Sequence, residues 1–161
     1  MIRKVKPEDA HDIALIYNFY IENSTISFET NPVSTEEMAN RITYISEKYP
    51  YFVYVDSGKI VGYCYATQWK KRAAYSKTVE STIYIVKDSQ RQGIGSILMN
   101  RLINELRENS FHAIVACITI PNPSSVRLHE RLGFRQASEF KEVGCKFGEW
   151  LDVGDWEMLL E

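Results

Sequence analysis

Along the first third of the chain, after a short strand, the apolar residues recur mainly at the spacing of helices. Residues 1–5 predict a short strand, and Pro7 then opens a helix, because the missing N–H of proline is not needed in a first turn. This helix is predicted to bury one face, made by residues at helical spacing: Ile13, Ile16, Tyr17 and Tyr20. A second helix is predicted from Ser34 to about Lys48, because Glu37 follows Ser34 by three residues as in a capping box.

The middle of the chain has the pattern of a hairpin, a strand and a helix. Residues 51–55 and 60–67 are apolar, β-branched and aromatic, and the sequence Asp-Ser-Gly-Lys at 56–59 has the turn chemistry that joins them as a hairpin. A further strand is predicted at 78–86. The helix predicted over 93–107 has an apolar stripe on one side: Ile94, Ile97, Leu98, Leu102 and Leu106.

The last third adds three strands and one helix. Residues 113–120 predict a buried strand, and 123–132 a helix that ends at Gly133. Residues 134–160 predict two strands around a turn near Gly148. An antiparallel start followed by strand–helix–strand–helix–strand predicts an α/β fold, a mixed sheet with helices on both faces.

Length and charge narrow the class of protein. A chain of 161 residues fits a single domain over residues 1–161, with 45 % apolar and 25 % charged residues. The formal net charge of −2 argues against a nucleic-acid partner, since such surfaces are basic. No apolar run has the length of a membrane span and the first residues lack the apolar region of a secretory signal, so we expect a cytoplasmic protein without membrane association.

The cysteines and histidines do not predict a metal site. Three cysteines, odd in number and without a CxxC pair, are expected to be buried or idle free thiols: Cys64, Cys117 and Cys145. Three histidines form no ligand spacing with them or with each other: His11, His112 and His129.

The most informative stretch is 83–96, where a strand ends, a polar loop follows and two glycines open a helix. N–H groups at a helix start are unpaired and carry partial positive charge, so Gly93 and Gly95 suit a pyrophosphate site. The alternative is that both glycines only make a tight strand-to-helix connection. A dinucleotide fingerprint is excluded because Leu98 replaces its third glycine, and a P-loop because its Gly-Lys-Ser/Thr is missing.

Two ordered motifs resemble those of the GNAT acetyltransferases. Gln90-x-x-Gly93-x-Gly95 resembles Q/R-x-x-G-x-G/A, the loop that holds the pyrophosphate of coenzyme A in that family. Residues 122–134 resemble its second signature, N-x-x-S-x-x-L-Y/H-x-x-x-G-F. Four further segments are similar to phosphinothricin and methionine sulfoximine acetyltransferases: 27–30, 69–75, 78–82 and 144–154. The resemblance covers roughly residues 1 to 160.

The resemblance implies a GNAT fold and acetyl-CoA as the acetyl donor. The fold is a mostly antiparallel central sheet with one splayed parallel pair. The residues expected to bind the donor are Ile83, Tyr84, Ile85, Gln90, Arg91, Gln92, Gly93, Ile94, Gly95, Ser96, Asn122 and Arg131. For two of them another interpretation stays open: Asn122 is also a favoured helix N-cap, and Arg131 also fits a solvated charge.

Glu80 and His129 are the candidate catalytic residues. An ammonium must lose a proton before it attacks, and partial burial of Glu80 at mid-strand raises a carboxyl pKa toward neutrality. The resemblance gives the glutamate of T-V/A-E-S-T this role, although ordinary strand patterning also places a glutamate on a polar face. His129 stands where many GNAT enzymes carry a tyrosine. It is therefore expected either to protonate the departing thiolate of coenzyme A or only to pack its helix. Leu151 stands where some phosphinothricin acetyltransferases carry a histidine.

The resemblance also gives an acceptor site and a function. One loop is expected to contact the acceptor through Arg72, Ala73, Ala74 and Tyr75, and a second wall through Phe28 and Glu29. We expect an N-acetyltransferase for a small amino-acid-like amine of the phosphinothricin or methionine sulfoximine and sulfone type. The alternatives are a GNAT enzyme for a polyamine, an aminoglycoside or a protein N-terminus, and a non-catalytic module that binds acetyl-CoA.

A homodimer is also expected. This expectation rests on the family resemblance and on the aromatic, apolar C-terminal strands, which contain Phe147, Trp150 and Trp156.

Overall fold

The computed structural model describes residues 1–90 and 92–161, and these form seven strands and four α-helices. The strands are β1 (Ile2–Lys4), β2 (Tyr51–Asp56), β3 (Lys59–Gln68), β4 (Thr78–Ile85), β5 (Ala113–Ile120), β6 (Arg135–Lys146) and β7 (Glu149–Leu159). The helices are α1 (Ala10–Asn23), α2 (Thr35–Ser46), α3 (Ile94–Glu108) and α4 (Pro123–Arg131). Short 3-10 turns lie at Pro7–Asp9, Ala73–Tyr75 and Lys87–Ser89.

All seven strands belong to one mixed sheet, which confirms the predicted fold class. The strand order is β1-β2-β3-β4-β5-β7-β6. Every neighbouring pair is antiparallel except β4 and β5, which run parallel. The strand that carries Glu80, β4, is therefore a central strand with a neighbour on each side.

Helices cover both faces of the sheet and divide the core in two. On one face α1 and α2 pack through Ile13 and Ile42 against Val53 and Tyr63 of the sheet. On the other face α3 buries four residues completely: Leu98, Met99, Leu102 and Leu106. One member of the predicted stripe on α3 is wrong, because Ile97 is 46 % exposed at the rim of the helix. The buried face of α3 runs instead through Leu98 and Met99.

Local sequence signals account for most of the element ends. The Ser34 hydroxyl accepts the N–H of Glu37 at 3.1 Å, so it caps α2 as predicted. In the hairpin turn Ser57 and Gly58 both have positive φ, the conformation that a two-residue turn requires. Gly133, with φ of +99°, ends α4. All three cysteines are free thiols, as expected, with Cys64 buried and Cys117 and Cys145 exposed.

The sheet opens between β4 and β5, and this opening positions the site. These strands pair only through Thr78, Val79 and Glu80 on β4. Beyond that point β4 stays paired with β3 as far as Ile85, and β5 stays paired with β7 as far as Ile120. Two strands that stay paired with their outer neighbours but separate from each other form a wedge-shaped gap.

In the described part of the chain no helix is long and apolar enough to cross a membrane.

Candidate active site

A cavity of about 490 Å³ occupies the wedge between β4 and β5. Its walls come from α1 and the loop after it, from both splayed strands and from α4. The lining residues that bear polar or aromatic groups are Tyr17, Ser27, Phe28, Glu29, Tyr65, Glu80, Ser81, Thr82, Tyr84, Cys117, Thr119, Asn122, Ser125 and His129. Both candidate catalytic residues are therefore in one cavity.

Glu80 lies at the apex of the wedge, opposite Val115 in the last pair that joins β4 to β5. Burial raises the pKa of its carboxyl above the ordinary glutamate value, and the nearby charge of Asp155 raises it further. Partial desolvation at the cavity wall, together with these two carboxylates, also raises the pKa of the neighbouring Cys117 thiol to about 12. A thiol with that pKa stays protonated at neutral pH, so Glu80 rather than Cys117 is the basic group here.

His129 is buried on α4 with one ring nitrogen fixed. Its Nδ1 lies 2.8 Å from the carbonyl oxygen of Ser125, and because a carbonyl only accepts, Nδ1 must donate. Nε2 is then the nitrogen without a hydrogen in the neutral ring. Burial lowers the pKa of His129, so the ring is neutral at neutral pH. The ring also meets Phe134 edge to face at 5.0 Å, so the residue both packs its helix and lines the cavity.

The edge of β4 that faces the wedge offers backbone donors. The N–H of Val86 bonds to the carbonyl of Val61, on the β3 side. Backbone N–H groups alternate sides along a strand, so the N–H of Ile83 points toward β5. Because β5 has already left at that level, this N–H faces the cavity rather than a strand.

A second cavity of about 370 Å³ continues the first toward the start of α3. Five residues line both cavities, which makes them one continuous channel: Ile26, Ile83, Tyr84, Asn122 and Ser125. At its far end Gly93 has φ of +79°, and among the described residues, its two chain neighbours aside, no atom lies within 4 Å of the position where a Cβ would be. Gly95 is tight, because its Cβ would lie 3.1 Å from the Leu128 side chain. The two glycines therefore serve different purposes, open approach at the first and helix packing at the second.

Most of the residues predicted to bind the donor line this channel. Those that do are Ile83, Tyr84, Ile85, Gln90, Gly93, Gly95, Ser96, Asn122 and Arg131. Gln92 is exposed outside it, and Ile94 is buried in the core, so only the backbone of Ile94 is available. Arg91 lies outside the described residues.

Two polar residues of the channel also have structural partners. The Gln90 amide donates to the Tyr20 hydroxyl at 2.8 Å, and that hydroxyl donates to the Ile85 carbonyl. The Asn122 side chain accepts the N–H of Ser125 at 3.2 Å and so caps α4 while it lines both cavities. The helix-cap interpretation of Asn122 is therefore confirmed, and its contact with the donor stays a prediction.

The predicted second wall of the acceptor site, Phe28 and Glu29, lines the cavity, and the charge of Glu29 is balanced by Arg41. Glu29 accepts two hydrogen bonds of 2.8 Å from the Arg41 guanidinium and one from the Tyr17 hydroxyl. The bonds from Arg41 hold the pKa of Glu29 below its usual range. Phe28 lies against β6, where a Cβ on Gly144 would come within 2.3 Å of the Phe28 ring. Glycine at that position is what lets the ring lie so close.

The predicted acceptor loop is not part of the cavity wall. Ala73–Tyr75 form an exposed 3-10 turn, and neither these residues nor Arg72 line the cavity. The loop leaves β3 one residue after Thr67, which lies opposite Glu80, so it begins close to the base. Its own contacts are local, with Lys70 Nζ 4.2 Å from the centre of the Trp69 ring.

Lys146 is buried rather than solvated. It is only 4 % exposed, and its ammonium donates to the carbonyls of Ser24 at 2.8 Å and Ser27 at 2.6 Å. These carbonyls lie in the loop that leads to Phe28, so the C-terminal hairpin holds that wall in position. Burial lowers the pKa of Lys146.

Several cavity residues were missed by sequence reasoning. Arg127 lines the channel one helical turn before Arg131, a spacing that was visible in the sequence. Tyr17, Tyr65 and Cys117 gave no such signal, because only the fold brings them together. Among the described residues there is no cluster of three metal-ligating side chains.

Comparison with known proteins matches nearly the whole chain. A family model described as an acetyltransferase (GNAT) domain matches residues 2–154. The chain is 40 % identical over 157 residues to the phosphinothricin N-acetyltransferase of Streptomyces viridochromogenes, covering 96 % of this chain and 86 % of that protein. It is 33 % identical over 165 residues to the L-methionine sulfoximine/L-methionine sulfone acetyltransferase of Pseudomonas aeruginosa, covering 99 % and 94 %.

A solved structure extends the likeness to three dimensions. The GNAT superfamily phosphinothricin acetyltransferase from Sinorhizobium meliloti, in complex with acetyl-CoA, has a TM-score of 0.96 and 34 % identity. The match covers 99 % of this chain and 88 % of that one.

Proposed function

The chain belongs to the GNAT acetyltransferase family, and we propose that its acceptor is the amine of a small amino acid of the phosphinothricin or methionine sulfoximine and sulfone type. It is an enzyme that acetylates amines with acetyl-CoA as its donor. The single observation that carries the proposal is the wedge cavity with Glu80 and His129 in its wall, continuous with a channel to the start of α3.

The chemistry of the channel suits the donor. The start of α3 offers unpaired N–H groups beside an open glycine, Gly93, which suits a pyrophosphate. Arg127 and Arg131 lie one helical turn apart along the same channel and suit further phosphate charge. Acetyl-CoA supplies the acetyl group when it is bound there.

Glu80 is proposed as the general base. A carboxyl pKa above the ordinary glutamate value brings the base closer to the operating pH, which favours proton transfer from an ammonium. The N–H of Ile83 faces the cavity, where it can donate to the carbonyl oxygen of the acetyl group. His129 is proposed to take up at Nε2 the proton that the attacking nitrogen loses as the amide forms, and to deliver it to the departing sulfur, since Nδ1 is already bonded to Ser125.

The acceptor walls support a compact, uncharged or anionic side chain. Three tyrosine rings and Phe28 line the same cavity as Glu80, and they restrict the space for a large acceptor: Tyr17, Tyr65 and Tyr84. Because Arg41 neutralises Glu29, Glu80 is the acid left to receive the acceptor's ammonium among the described lining residues. We propose that Arg72 to Tyr75 contact the acceptor from the rim, where a guanidinium can bind a carboxylate.

A homodimer is part of the proposal. The hairpin of β6 and β7 exposes large apolar side chains that a second copy would cover: Phe140, Val143, Phe147 and Trp150. Such a patch beside a functional wall is typical of a protein interface. Trp156, in contrast, is buried in the core of the chain itself.

A cytoplasmic location is also proposed. The three cysteines are free thiols, which suits a reducing compartment.

A panel of amines tests the function. Coenzyme A release should be fastest with phosphinothricin, methionine sulfoximine and methionine sulfone, and slow with spermidine, an aminoglycoside and an N-terminal peptide. Preference for one of the last three would replace the proposed acceptor class. Binding of acetyl-CoA without release on any amine would support a non-catalytic module.

A further inference from the structure

Ser81 carries a buried hydroxyl without a hydrogen-bond partner. The residue is only 8 % exposed, and its Oγ is the one buried side-chain polar atom left unpaired in the described part of the chain. Burial of an unpaired hydroxyl is unfavourable, and native proteins rarely retain one without a reason.

Ser81 lies in the wall of the wedge, next to the proposed base, with its hydroxyl buried. Ser81 follows Glu80, at the first level where β5 no longer pairs with β4. Side chains alternate along a strand, so Ser81 shares the face of Val79 and Ile83, which pack toward α3 and α4. The Glu80 side chain therefore lies on the α1 side of the cavity, and the Ser81 side chain lies on the α4 side.

The neighbours on the α4 side leave Ser81 available to a ligand. Ala116 and Ile118 of β5 line the cavity there and have no polar side-chain atoms. His129 lines it too, but neither of its ring nitrogens is bonded to the Ser81 hydroxyl. The cavity at this level continues directly into the channel proposed for the donor.

We propose that the Ser81 hydroxyl donates a hydrogen bond to the sulfur of coenzyme A, an inference that rests on the proposed function. The bond strengthens as the carbon–sulfur bond breaks, because a charged acceptor binds a donor more strongly than a neutral one. The proton stays on the Ser81 oxygen, and the thiolate receives its own proton from Nε2 of His129. Ser81 thus favours departure of the thiolate.

Ser81→Ala, Ser81→Thr and the matched control Ser34→Ala test the proposal. Without ligand, Ser81→Ala should unfold at or above the wild-type temperature, because it removes an unpaired group. Ser34→Ala loses a helix cap and should unfold about 2–4 °C lower. Calorimetry should show weaker coenzyme A binding to Ser81→Ala and unchanged binding of desulfo-coenzyme A, which lacks the sulfur.

Turnover gives the second readout. Ser81→Ala should lower kcat about tenfold to a hundredfold, the range for a hydrogen bond to a charged group, and Ser81→Thr should restore part of it. A lower unfolding temperature for ligand-free Ser81→Ala, or equal loss of both ligands, would overturn the inference and make Ser81 structural. A wild-type protein that does not bind acetyl-CoA would instead overturn the proposed function itself.

Discussion

Glu80 and Val115 form the last pair between β4 and β5, so the proposed base stands at the point where the sheet opens. On its other side Glu80 lies opposite Thr67 of β3. The backbone of the base is thus fixed from two sides, while its side chain faces a cavity that begins one residue later. Positioning of this kind reduces the reorganisation that a proton transfer requires.

Gly93→Val should weaken acetyl-CoA binding at least tenfold. Valine is strained at φ of +79°, and its side chain would project into open space where a ligand approaches the backbone. Gly58→Val is the matched control, because Gly58 also has φ of +79° with nothing within 4 Å, but lies in the β2–β3 turn. Calorimetry on both folded variants should show a loss of affinity for Gly93→Val only, and equal affinities would exclude this glycine from the donor site.

Elements with local causes could be predicted from the sequence. The Ser34 cap, the turn at Ser57 and Gly58, and the end of α4 at Gly133 all depend on residues within a few positions of each other. The exposure of Ile97 shows the limit, because periodicity defines a stripe but not where on the helix the sheet lies. The site could not be predicted in the same way, because the pairing of Arg41 with Glu29 and of Lys146 with Ser27 joins residues that only the fold brings together.

Arg41→Met should shift acceptor preference toward cationic amines. The change leaves the Glu29 carboxylate without its guanidinium, so the cavity wall gains an unpaired negative charge. Attraction of about 1 kcal/mol or more between near-surface charges corresponds to a several-fold change. The ratio of kcat/KM for agmatine to that for methionine sulfone should rise, and Arg41→Lys, which keeps the charge, should stay near wild type. An unchanged ratio in Arg41→Met would show that Glu29 does not influence the acceptor.

Lys146→Met should raise the KM for the acceptor more than the KM for acetyl-CoA. It leaves the carbonyls of Ser24 and Ser27 without a donor, and each unsatisfied buried group costs about 1–3 kcal/mol. The wall that carries Phe28 then loosens. Lys141→Met on the same strand is the control, because Lys141 is exposed and bonds only acids at the surface. Equal effects on both KM values, or none, would contradict this role.

Trp150→Lys should convert the proposed dimer to a monomer. Light scattering of the wild type at micromolar concentration should give about twice the 18.7 kDa of one chain. Trp150 is 67 % exposed on the hairpin, and Tyr44, 73 % exposed on α2, provides the control Tyr44→Lys. A wild type of single-chain mass, or a dimer that survives Trp150→Lys, would exclude this hairpin as the interface.

The pH dependence of turnover by wild type and Glu80→Gln tests the central claim most directly. Glutamine keeps the shape of the side chain but removes the base, so acetyl-CoA affinity should persist while kcat falls about a hundredfold to ten-thousandfold. Because the folded pKa of Glu80 is raised, the wild-type rate should fall with decreasing pH in a limb above the ordinary glutamate range, as the base becomes protonated. The variant should lack that limb. A Glu80→Gln enzyme with nearly full turnover and an unchanged acid limb would show that another group takes the proton.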